Sequence, residues 1–255
     1  MAFTVHAVMP GVWHIVDCMG VCMTLLEGEN AAMLVDTGYG IEDVADFMRH
    51  MTDLPLTVFL THNHHDHAMG ARCFPETYML EADMADWRMF TNDEMRRRVL
   101  TQAIGKNLTV DEKTFLAGEI PLPKVMKPGV IDLGGLTAEI IEAPGHTPGS
   151  AVVYVPERKL LLSGDDWNPC TWLFFPQALG LREYRSNMRG IQQLPFEKVL
   201  CPHREALYDR WMFDDFFNAL TDGNLRAAEP VNIAPYEQID TCQATLPHDQ
   251  VLVFD

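Results

Sequence analysis

The sequence predicts a mixed α/β fold. Three observations carry this: apolar runs of strand length recur in both halves, segments with helical spacing lie between them, and Gly, Pro and Asn mark the turns. With 255 residues, 47% of them hydrophobic, the chain can bury a sizeable core in one large domain or two small ones. No linker or low-complexity segment divides it, so a single domain over 1–255 is expected.

Val12 to Asp17, Cys22 to Glu27 and Ala31 to Asp36 read as consecutive strands, with Gly28-Glu29-Asn30 as a turn. Asp36-Thr37-Gly38-Tyr39-Gly40 ends the third strand, and Ile41 to Met51 has helical spacing. Thr57 to Leu60 is an apolar strand and Tyr78 to Leu80 a short one. The segment 81–116 is helix-like, with Met84, Trp87, Phe90, Met95, Val99 and Ile104 at recurring apolar positions. Strands follow near 130–133, 137–143, 150–155 and 158–163, then a helix near 181–193, a strand near 197–201 and a helix from Glu205 to Leu220. Val251 to Phe254 has the character of a strand closing one sheet edge.

The chemistry is concentrated in His62-Asn63-His64-His65-Asp66-His67, directly after the apolar strand. Four of the ten histidines of the chain fall within these six positions. Neutral imidazole and carboxylate suit a borderline divalent ion such as zinc, and a tight loop after a strand turns them toward one point. Four ligand-type residues exceed the need of a single catalytic metal with an open position. They point to two adjacent metals, or to one metal with supporting partners. A histidine-rich surface loop is the plain alternative.

This His-x-His-x-Asp-His pattern resembles the signature of the metallo-β-lactamase superfamily. Its members usually draw three further ligands from downstream loops, and this chain offers a residue for each. His146 lies in Ala143-Pro-Gly-His146-Thr-Pro-Gly-Ser150, Asp165 ends the apolar run Leu160 to Gly164, and His203 follows Val199-Leu-Cys-Pro202. The resemblance implies a four-layer αββα sandwich, two mixed β-sheets flanked by helices, with 81–116 as an insert beside the site. It implies that His62, His64 and His146 hold one metal, that Asp66, His67 and His203 hold a second, and that Asp165 bridges them. The expected cofactor is zinc, two ions per chain, with iron or manganese as alternatives. A hydroxide bridging the metals would attack a small thioester, lactone or related ester, with Asp66 as a ligand that also orients the nucleophile. The alternatives are an iron-dependent oxygenase acting on a sulfur substrate and a small phosphodiesterase.

Departures narrow the choice within the family. Asp165 stands where some β-lactam hydrolases carry a cysteine ligand, and His64 stands where the oxygen-reducing di-iron branch has glutamate. His203 is preceded by Pro202 where many relatives have glycine. Branches that process nucleic acid carry large added domains, for which 255 residues leave little room.

Composition fixes the expected setting. Nineteen basic against 36 acidic residues give a formal charge of −17, so phosphate backbones are poor partners and a small-molecule substrate is expected. Arg96-Arg97-Arg98 reads as a solvated helix face. No run reaches the length of a membrane span, Met1 to Gly20 lacks the features of a signal peptide, and six cysteines show no CxxC spacing. A cytoplasmic enzyme with reduced thiols is expected. Cys201 reads as a small buried side chain, and His6, His14, His50 and His248 as structural or solvated. His65 should point away from the metals. Trp172, Phe174 and Phe175 form either an apolar substrate wall or a homodimer contact, and the insert is open to the same second reading, besides that of a lid or a core-covering helix pair.

Overall fold

The computed structural model describes residues 3–255. A seven-stranded sheet runs in chain order through Thr4–Met9 (β1), Val12–Val16 (β2), Cys22–Glu27 (β3), Ala32–Val35 (β4), Leu56–Phe59 (β5), Tyr78–Met79 (β6) and Lys124–Val125 (β7). The second sheet holds Gly129–Asp132 (β8), Thr137–Glu142 (β9), Ala151–Val155 (β10) and Leu160–Leu162 (β11). It passes over Cys170–Leu173 (β12) and is completed by Lys198–Leu200 (β13) and Tyr208–Asp209 (β14). A smaller third sheet pairs β12 with Glu229–Val231 (β15), Thr241–Leu246 (β16) and Gln250–Phe254 (β17), in the order β12-β17-β16-β15.

Period-2 alternation sorts the apolar residues of the two main sheets into layers. Leu26, Met33, Val35 and Phe59 of the first sheet face Ile140, Val153, Leu160, Leu162 and Leu200 of the second, forming the core between sheets. Their chain neighbours Leu25, Leu34 and Val58 point outward onto Val44, Ala45 and Met48 of the helix Val44–Met51 (α1). That helix starts at Asp43, whose carboxylate accepts from Asp46 N at 2.9 Å. On the other side Val152, Tyr154, Leu161 and Val199 meet later helices at Tyr184, Met188, Ile191, Phe213, Phe216 and Phe217. The result is the αββα sandwich.

The region 81–116 is broken into three helices, Trp87–Thr91 (α3), Asp93–Gly105 (α4) and Glu112–Phe115 (α5), with the short His65–Ala68 (α2) earlier in the chain. Asn92 forces the first break, because its side chain accepts from Met95 N at 2.9 Å and caps α4. Trp87, Val99 and Phe115 pack inward over Leu60 and Met79, whereas Ile104 is 58% exposed and contributes nothing to this face. The arginine triplet also differs from a uniformly solvated face. Arg97 and Arg98 are exposed, but Arg96 is buried and donates to Phe115 O at 3.3 Å and Gly118 O at 2.7 Å, with Asp93 as its ion-pair partner.

The outer helices of the second sheet are Leu181–Ile191 (α6) and Arg210–Ala219 (α7). The expected helix from Glu205 therefore starts late: Tyr208 and Asp209 pair with Val199 and Lys198 as a strand, held by a Lys198–Asp209 ion pair. Val251 to Phe254 closes neither main sheet, since β17 lies inside the third sheet between β12 and β16. Among the described residues, no helix is long and apolar enough to cross a membrane.

Arg96 gives a direct test of the 81–116 region. Arg96→Ala removes the donor from the buried Phe115 carbonyl and the half-buried Gly118 carbonyl and should cost about 1.5–3 kcal/mol in urea unfolding. Arg97→Ala, one residue on, should stay within about 0.5 kcal/mol.

Candidate metal centre

Strand direction gathers the loops. β4 and β5 are parallel, with Val35 opposite Phe59, so Asp36 and Thr61 leave the first sheet at the same end. β11 and β13 are likewise parallel, with Leu162 opposite Leu200, so Asp165 and His203 leave the second sheet together. The β9–β10 turn, which carries His146, opens at that end because Val153 pairs with Leu162 in antiparallel register. Crevices outside the carboxyl ends of parallel strands are the usual ligand sites of such sheets.

The seven expected residues converge there. His62, His64 and His146 offer ligand atoms within 4.8 Å of one another, as do His62, His67 and Asp165, and again Asp66, His67 and His203. The three groups form a chain, linked through His62 and then His67. Asp165 Oδ2 lies 3.1 Å from His203 Nε2, 3.4 Å from His67 Nε2, 3.6 Å from His146 Nε2 and 4.0 Å from His62 Nε2. Asp66 Oδ2 is 3.7 Å from the Nε2 atoms of both His67 and His203. His65 belongs to none of the groups, and its ring stands edge-on against Tyr39 at 5.5 Å.

Hydrogen bonds on the far ring nitrogens aim the histidines. Asp36, in the left-handed backbone region at φ 65°, accepts from Thr61 N at 2.8 Å and from His67 Nδ1–H at 3.0 Å. Thr61 Oγ1 donates to the same carboxylate at 3.0 Å and accepts from His62 Nδ1–H at 3.0 Å. His146 Nδ1–H donates to Trp172 O at 2.7 Å. Each bond frees an Nε2 lone pair toward the centre.

Two other buried carboxylates shape the loops. Asp83 accepts from Asn63 N at 3.1 Å, Thr147 Oγ1 at 2.8 Å and Gly149 N at 2.6 Å, so one side chain of the 81–116 region ties the motif loop to the His146 loop. A Cβ at Gly149 would sit 2.6 Å from Asp83 Cγ, which requires glycine there. Asp166 accepts from His146 N at 2.9 Å. The turn before Asp165 uses Gly164 at φ 52°. The His203 loop is held from the first sheet, where Cys22 N donates to Pro202 O at 2.7 Å and His14 Nε2–H to Arg204 O at 3.1 Å. Cys201 is buried in the outer core, and burial pushes its thiol far above the ordinary range.

The donor set fits metal ions. His62 Nε2, His67 Nε2 and Asp165 Oδ1 are buried without any hydrogen-bond partner, a costly arrangement unless something else satisfies them. Burial, aided by neighbouring imidazoles, holds His62 and His64 well below the histidine range, in the neutral form that coordinates. Burial pushes the Asp66 carboxyl up, but His67, His65 and His203 outweigh it and bring it down to about 2. Asp165 behaves alike, with His203 and His67 overcoming burial to hold it well below the carboxylate range.

Aromatic rings wall the His64 side. Phe90 of α3 lies 4.5 Å from the His64 ring and Phe175 lies 4.8 Å from it. Tyr236, from the β15–β16 connection, packs at 90° on Phe175 at 5.3 Å and contacts Trp172 at 6.2 Å. Sequence reasoning missed Asp36, Asp83 and Tyr236 as parts of the centre. Only Asp36 carried a signal, a carboxylate at a strand end before Thr37-Gly38.

The description of the metallo-beta-lactamase superfamily matches residues 16–203. The chain belongs to this superfamily. It is a metal-dependent hydrolase of that family. The chain is 26% identical to the acyl-coenzyme A thioesterase MBLAC2 of Gallus gallus over 202 residues, spanning 70% of each protein. Superfamily structures share the fold at low identity. The metallo-beta-lactamase FIM-1 from Pseudomonas aeruginosa, in its mono-zinc form, aligns with a TM-score of 0.60 at 17% identity, over 84% of this chain and 92% of its own. TTHA1623 in a di-iron-bound form aligns at 0.53 and 21% identity, over 76% and 92%.

Asp83 is the test of loop positioning without any metal contact. Asp83→Ala takes the acceptor from Asn63 N, Gly149 N and Thr147 Oγ1, leaving the two amides unpaired, and should lower stability by about 3 kcal/mol. Amide exchange of Asn63 and Gly149 should accelerate more than that of core strands.

Proposed function

We propose that the protein is a dinuclear hydrolase of a small thioester, lactone or related ester. The observation that carries this reading is the chain of three overlapping ligand groups, which shares His62 and His67 between neighbours and centres on Asp165. His62, His64 and His146 would hold one cation, Asp66, His67 and His203 the other, and Asp165 would reach both. Zinc suits this nitrogen- and carboxylate-rich set, although FIM-1 and TTHA1623 carry different metals on the same fold. Two cations there would activate a water near neutral pH and polarise the substrate carbonyl.

The residues of the chain set the rest of the chemistry. Asp66, held ionised by its histidine neighbours, presents Oδ2 beside His67 and His203, where it would serve as a ligand and orient the nucleophile. Phe90 and Phe175 flank His64 with apolar surface, which would pack the acyl side of a thioester and exclude bulk water. The thioesterase activity of the Gallus gallus relative supports the same bond type. We read 81–116 as an insert of a single hydrolase domain, contributing Phe90 to this wall and Asp83 beneath it.

Three measurements follow. Metal-loaded protein should cleave thioester substrates in a panel that also holds lactones and phosphodiesters, and chelator-stripped protein should cleave none. Asp165→Asn should keep its circular dichroism spectrum, fall below two metals per chain and lose most hydrolysis; full activity with two metals would remove Asp165 from the bridging role. His65→Ala should retain its metals while His64→Ala loses at least one. Equal depletion in both would mean that the ligand register is wrong.

A further inference from the structure

His64 differs from the other histidines of the centre in the nitrogen that it turns inward. Its Nδ1 lies 2.9 Å from His146 Nε2, on the side of the ligand groups, and its Nε2 lies 3.1 Å from Gln177 Nε2. A histidine that coordinates through Nδ1 must carry its proton on Nε2, and that N–H then needs an acceptor. The rings of Phe90 and Phe175 on His64 offer none. Gln177 does: its Oε1 is buried and has no hydrogen-bond partner. A half-turn of the amide exchanges its two ends and brings Oε1 to His64 Nε2, giving that N–H the acceptor it needs.

We infer that Gln177 is a positioning residue whose side-chain oxygen accepts from His64 Nε2–H and so fixes His64 as an Nδ1 ligand. This rests on the metal-centre reading above. A cation held at Nδ1 would require the His64 proton on Nε2 and the amide oxygen turned toward it. The backbone can hold Gln177 in place through this change, because Leu179 N donates to Gly145 O at 2.8 Å and Ala178 N to Phe175 O at 2.8 Å. The residue thus couples the aromatic wall to the His146 loop and to one ligand ring.

The test is zinc affinity by competition with a chromogenic chelator, on the full chain and four variants. Gln177→Leu keeps the volume but removes the acceptor, and should weaken the tighter-bound zinc by about 10–100-fold. Gln177→Glu keeps an acceptor at the same reach and should bind at least as tightly as wild type. His64→Ala should lose one zinc, and Gln193→Leu, at an exposed site, should change nothing. Equal weakening in Gln177→Leu and Gln177→Glu would overturn the proposal, leaving Gln177 a packing role only. Wild-type affinity in Gln177→Leu with zinc loss in His64→Ala would overturn it while sparing the metal centre. Two zinc ions retained by His64→Ala would overturn both.

Discussion

The buried carboxylate of Asp36 is the interaction on which the centre depends. It joins the ends of two parallel strands by accepting from Thr61, and it turns the His67 ring by accepting at Nδ1. Its left-handed backbone costs on the order of 1–3 kcal/mol. Each bond to a charged acceptor contributes about 1.5–3 kcal/mol, so three donors outweigh that cost. Thr61 extends the same network to His62 through its hydroxyl. One strand-end carboxylate therefore orients two ligand-type rings before any ion arrives.

The centre itself is a burden on the fold. His62 Nε2, His67 Nε2 and Asp165 Oδ1 face inward without partners, and each such atom costs about 1–3 kcal/mol in a protein whose whole margin is about 5–15 kcal/mol. The three-cluster core of the sandwich, with apolar residues on both faces of each main sheet, absorbs this. Burial does chemical work as well, because it keeps His62 and His64 neutral and ready to coordinate.

Much of this was legible in the sequence, and the reasons differ by residue. His62 to His67 stood out by the density and spacing of ligand-type residues after an apolar strand, and His146, Asp165 and His203 because each follows a strand end marked by Gly, Pro or both. Most strands of the two main sheets were readable from apolar runs, since both faces of those sheets are covered, whereas the edge strands β1, β7 and β14 were not. The third sheet was not: Thr241 to Leu246 has buried Thr241, Ala244 and Leu246 among polar neighbours, a weak pattern that reads as loop. Arg96 and Ile104 were misplaced because a helix broken at Asn92 rotates the later residues away from a continuous 3.6-residue stripe. Asp83, Gln177 and Tyr236 had no local signal, because their roles arise from contacts between segments far apart in the chain.

The third sheet has a consequence for how such an enzyme can diversify. Its strands and their connection supply Trp172 and Tyr236 to the aromatic wall, whereas the seven ligand-type residues hang from the two main sheets. Tyr236 also lies beyond residue 203, where the superfamily match stops. The outer part of that wall and the ligand-type residues thus lie largely on separate pieces of backbone, joined where His146 Nδ1–H donates to Trp172 O. A mutation in the 232–240 connection can reshape what fits beside His64 without disturbing a single bond to Asp36 or Asp83. Substitutions by that route change the wall while the ligand-type residues keep their positions.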